Sequence, residues 1–213
     1  SDGGRNIDSN TIKIVTFNGG KSVTIKEGTN IKSDEIEIEI KRGEFISVTM
    51  YMEDFTEMRS GVIITGPLSK GYYSIGDVTE SENLPLNTTR NTNCFYFLTD
   101  VDVLTDKNNK SVVCFGDSIT AQSWPDYLTL RLKEEGINNI SVIRRAASGT
   151  RILRQYDNIT YDSYGLKGDI RFPNEIITTS AETVIIQHGI NDIIHPVGRD
   201  VNPFRPMSDL PTV

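Results

Sequence analysis

A chain of 213 residues, 37% hydrophobic and 24% charged, fits one large domain or two small ones and can bury a core without disulfide staples. Its net charge of −7, with the basic residues scattered, argues against a nucleic-acid or anionic-membrane surface. No apolar run approaches the roughly 18–20 residues of a membrane span. The chain opens on Ser1 and not on Met, so it is expected to be processed or cut, and secretion and a cytoplasmic location both stay open.

Residues 1–109 read as β structure. The segment 11–17 (TIKIVTF) is followed by Gly19-Gly20 and then 22–25 (SVTI), a hairpin signal. In 35–40, Ile36, Ile38 and Ile40 alternate with Glu35, Glu37 and Glu39, the period of a strand with one buried face. Strands are also expected at 45–52, 61–66 and 94–104, whereas 78–93 is polar and loop-like. Short strands separated by turns predict a β-sandwich-like domain. Cys94 and Cys114 each sit inside an apolar run, which favours buried thiols over a disulfide. Two histidines and no Cys/His spacing argue against a zinc site.

After the polar stretch 106–110 the pattern changes. Residues 111–115 (SVVCF) form a continuous apolar run, as a strand buried on both faces does. A helix is expected over 123–136, with Ser123 as cap, Pro125 in the first turn, Gly136 at the end, and Trp124, Tyr127, Leu128 and Leu132 sharing one side. Strands follow at 140–147 and 183–189, with a helix at 165–178 interrupted by Pro173. Alternating strands and helices predict a parallel α/β sheet over 110–213, a second domain.

Ligands of open α/β sheets bind at the carboxyl ends of the strands. Three polar clusters fall there in order: Gly116-Asp117-Ser118, Ser148-Gly149-Thr150 and Gly189-Ile190-Asn191-Asp192. A serine on a strand-to-helix turn presents both its hydroxyl and its own N–H. A glycine after the next strand admits close approach to backbone N–H, and an asparagine offers an amide donor. Three neutral donors around one nucleophile make an oxyanion hole. Asp117 is expected to fix its turn, Asp192 to order the loop around Asn191, and His188 to be a packed, hydrogen-bonded residue.

These blocks resemble those of the SGNH or GDSL hydrolases, in the bacterial lysophospholipase-like esterase branch. FGDSIT (115–120), AASGTRIL (146–153) and Gly189-x-Asn191-Asp192 match its first three blocks. VTFNGGKSVTI (15–25), the stretch 33–38 and FYFLTDVDVL (95–104) resemble pieces of that branch's β segment. The resemblance implies an acyl-enzyme esterase with Ser118 as nucleophile and Gly149 and Asn191 as oxyanion donors, requiring no cofactor or metal. It implies a small ester as substrate and a three-layer α/β/α sheet ordered 2-1-3-4-5, of which this chain holds the first half.

The family's fourth block, Asp-x-x-His, has no counterpart at a family-like distance. Asp192-Ile193-Ile194-His195 spells it, but it overlaps the third block, so His195 is expected to border the site mouth. The remainder of the same polypeptide is expected to supply strands four and five and the catalytic histidine, and the β domain to lack its first strands. A binding protein that kept the pocket without the base is the rival reading. A nucleotide-binding α/β domain is disfavoured, since no Gly-rich phosphate loop follows the first strand.

Overall fold

In a computed structural model, residues 3–54, 62–153, 165–177 and 181–194 are described. The chain divides into two units, Ser1–Asp54 with Tyr72–Arg90, and Phe55–Gly71 with Asn91–Val213.

The first unit is built on turns. Asn18 and Gly19 both have positive φ (51° and 79°), as the central pair of a hairpin turn of the type I′ class requires. Phe17 and Gly20 exchange both backbone hydrogen bonds across it, at 2.8 and 3.1 Å. The Asp34 carboxylate accepts from Thr16 Oγ1 (2.6 Å) and from the N–H groups of Asn18 and Gly19 (both 2.9 Å). These donors hold its pKa below the usual carboxylate value, the Thr16 hydroxyl most strongly. The turn expected at Gly19-Gly20 therefore forms one residue earlier, with Asn18 and Gly19 at its centre, but the ladder around it does not. Segments 11–17, 22–25, 35–40 and 45–52 contain no named strand, and Ile36, Ile38 and Ile40 are exposed. A period of two says which side chains share a face, not which edge pairs with which.

A short ribbon stands where longer strands were expected at 61–66 and 94–104, and a second ribbon forms where none was expected, one of its strands at the end of the stretch 78–93 read as loop. β1 (Val62–Ile63) pairs antiparallel with β4 (Cys94–Phe95). β2 (Gly71–Tyr73) pairs with β3 (Arg90–Thr92).

The second unit holds a parallel three-stranded sheet ordered β6-β5-β7, from β5 (Lys110–Gly116), β6 (Ile140–Ala146) and β7 (Thr183–Gln187). The continuous apolar run of β5 makes it the central strand, and Val113, Cys114 and Phe115 form the core. Burial pushes the Cys114 thiol up to about 11, and both cysteines are free.

Helices cover both faces, because neighbouring strand residues point to opposite sides. On the Cys114–Arg144 side, α2 (Trp124–Glu134) docks through an ion pair between Asp126 and Arg144. On the Phe115 side, α3 (Gly168–Ile176) brings Phe172 edge-on to Phe115 at 5.3 Å between ring centres. The α2 terminus follows sequence logic: Gly136 takes φ +71°, and its N–H and that of Ile137 return to the carbonyls of Lys133 and Leu132. Two details differ from expectation. Ser123 makes no side-chain cap bond, and Tyr127 is 60% exposed, because Pro125 and Asp126 supply the buried face. Among the described residues no helix is long and apolar enough to cross a membrane.

Candidate active site

The register sets the carboxyl ends of all three strands level, with Gly116 opposite Ala146 on one side and Gln187 on the other. Each polar cluster follows one of these residues.

After β5, Asp117 caps α1 (Ser118–Ala121), its Oδ1 accepting from Ile119 N–H at 3.1 Å. Ser118 is the first helical residue and is half-buried, and its N–H precedes any intrahelical acceptor. Thr120, fully buried, donates from its hydroxyl to Gln187 O at 3.1 Å and so links this turn to β7. Gly116 is required by this closeness. A Cβ there would overlap the Gln187 carbonyl oxygen and the Thr120 hydroxyl.

After β6 the chain turns through Gly149, whose φ is +77°. Ala147 N–H donates to Gly116 O (3.1 Å), while the N–H and hydroxyl of Thr150 return to Ala147 O at 3.4 and 2.7 Å. After β7, Gly189 has φ +114°, leading into α4 (Ile190–Ile194). Asn191 is buried and donates from Nδ2 to Thr150 O at 3.0 Å. One of its two amide protons is thereby used and the other remains. Asp192 acts at longer reach than its expected role around Asn191. Its carboxylate accepts from Ile152 N–H (2.8 Å) and Leu153 N–H (3.3 Å), clasping the loop after Gly149. His195 lies outside the described residues.

The His188 side chain is fully buried. Gly189 N–H donates to its Nδ1 at 2.9 Å, so the ring proton belongs on Nε2, which faces Thr150 Oγ1 at 3.4 Å. Burial lowers its pKa below the ordinary value; Arg171 acts in the same direction, and Asp117, Asp192 and Glu175 oppose it. The neutral ring sits with Nδ1 3.7 Å from Asp117 Oδ2, a buried oxygen with no donor among the described residues. Gly168 makes room for it, since a Cβ there would come within 3.0 Å of Nε2.

Sequence reasoning did not single out Arg171 or Glu175. Arg171 is buried on α3, its guanidinium 4.9 Å above the Phe115 ring centre. It is paired to Glu175 through Nε (2.8 Å) and Nη2 (2.9 Å). An Arg and a Glu four apart on a helix read as an exposed pair, so the sequence carries no mark of burial here.

No family model matches this sequence, and neither does any curated protein.

Proposed function

We propose that the protein is a serine ester hydrolase of the SGNH type. One observation carries the reading: a serine-bearing turn, a positive-φ glycine and a buried asparagine amide follow three adjacent, level strands of one parallel sheet. Ser118 Oγ attacks the ester carbonyl carbon, and the C=O electron pair moves onto oxygen. The Ser118 N–H, the Gly149 N–H and the second Asn191 amide proton stabilise that oxyanion. The general base takes the Ser118 hydroxyl proton as Oγ attacks and returns it to the leaving alkoxide, so collapse expels the alcohol and leaves an acyl-serine. The same base then takes a proton from water, which releases the acid and restores Ser118.

The general base is a residue other than His188, whose Nδ1 is occupied by Gly189 N–H and whose Nε2 faces Thr150. Substrates of the class are small carboxylic esters, with acetyl or short acyl groups on carbohydrate or lipid. On this reading the sheet is the first half of a three-layer α/β/α domain, and the N-terminal unit a sandwich-like accessory.

The commitment of His188 also supports a second reading, a non-catalytic binder of the same ligands. Hydrolysis of a short-chain aryl ester separates the two. Turnover abolished by Ser118→Ala supports the hydrolase. Saturable ester binding without turnover in the wild-type protein supports the binder.

A further inference from the structure

Around the three clusters, one buried group touches more than one of the converging segments without belonging to any. The Arg171 side chain is 6% exposed. Nη1 donates to Gly116 O (3.3 Å) and to Thr150 Oγ1 (3.1 Å), and Nη2 to Arg145 O (3.3 Å). One guanidinium therefore holds the end of β5 two residues before Ser118, the end of β6, and the residue next to Gly149. The last of these, Thr150, also receives the Asn191 amide on its carbonyl oxygen.

We propose that Arg171 is the positioning residue of the oxyanion pocket, fixing the Gly149 loop against the Ser118 turn. The inference rests on the ester-hydrolase reading and names a residue that reading does not use. Three features of the site support it. The planar fork delivers parallel donors to two backbone carbonyls and a hydroxyl, which a lysine cannot do. Glu175 engages Nε and Nη2, which neutralises the buried charge and orients the plane. Thr150 Oγ1 already donates to Ala147 O, so it is free to accept from Arg171, and the bond has a defined direction. Oxyanion donors must point at the transition-state oxygen before it forms, so loosening this loop costs rate and not substrate binding.

The test uses Arg171→Met, Arg171→Lys and Thr150→Val with two readouts: steady-state hydrolysis of p-nitrophenyl acetate, and hydrogen–deuterium exchange of the backbone over 147–153. Arg171→Met is expected to lower kcat about 100-fold, the scale of one lost oxyanion donor, with KM unchanged. Exchange over 147–153 rises while that of α2 stays as in the wild type. Arg171→Lys regains part of kcat. Thr150→Val cuts one link from the other end and gives a kcat-only loss, and its double with Arg171→Met falls no lower than the worse single variant. If Arg171→Met does not fold, Thr150→Val and Arg171→Lys are read in the same way. Wild-type kcat with wild-type loop exchange, or a rise in KM at unchanged kcat, overturns the proposal. If Ser118→Ala retains turnover, the hydrolase reading falls instead. The positioning role of Arg171 is then decided by loop exchange alone, unchanged protection sinking it.

Discussion

Breaking the ion pair between Asp126 and Arg144 is expected to be the most costly single conservative change in the α/β unit. Both side chains are 8% exposed. Asp126 Oδ2 also accepts from Leu68 N–H at 2.8 Å, and Arg144 Nε and Nη1 have no partner among the described residues. Asp126→Asn keeps the shape and an acceptor for Leu68 but leaves a buried guanidinium without its counter-charge, a loss of about 3–5 kcal/mol. Arg144→Met leaves the carboxylate uncompensated and costs a similar amount. The double variant removes both charges, and a buried pair replaced as a unit is often close to neutral, so it should be more stable than either single. Trp124 is the only tryptophan of the chain and lies two residues from Asp126 on α2, so its fluorescence during urea unfolding reports this unit directly. Losses that add in the double variant, or a cost below about 1 kcal/mol for Asp126→Asn, would refute the argument that burial makes this pair interdependent.

Two further outcomes follow from the site. Gly116→Ala places a methyl group against the Gln187 carbonyl and the Thr120 hydroxyl, an overpacking that costs about 1–3 kcal/mol; a lower urea midpoint and lost ester turnover are expected, and an unchanged midpoint would show that β7 yields freely. The folded pKa of His188 is lowered below 6.5, chiefly by burial, so below pH 6.5 the unfolded chain takes up this proton first. The contribution of His188 is therefore complete above pH 6.5 and declines as pH falls toward the folded value. His188→Gln should flatten the dependence of the urea midpoint between pH 6.5 and 5; a steeper dependence in the variant would contradict the sign.

The α/β unit was the more legible part of the chain because its signals are local and redundant. Within segment 111–115, Val112 to Phe115 are apolar without interruption, and Gly136 closes α2 by a backbone geometry that the residue itself favours. The N-terminal unit was legible only at its turn. Gly19 does sit in a hairpin turn, with Asn18 and not Gly20 as its positive-φ partner, whereas the alternating isoleucines of 35–40 name a face but no partner. Within the site, Ser118, Gly149 and Asn191 could be read because each follows its strand in order. Arg171 could not, since its burial is created by Phe115, Gly116 and Thr150 arriving from distant parts of the chain. The reach of Asp192 to Ile152 and Leu153 is tertiary in the same sense.

The proposed hydrolase mechanism requires Ser118 to be an activated nucleophile. Its most direct test is intact-mass and peptide mapping after exposure to a fluorophosphonate, which phosphonylates reactive serines. A single adduct is expected on the peptide containing Ser118, absent from Ser118→Ala together with all ester turnover. An adduct on another residue, or turnover that survives in Ser118→Ala, would contradict it.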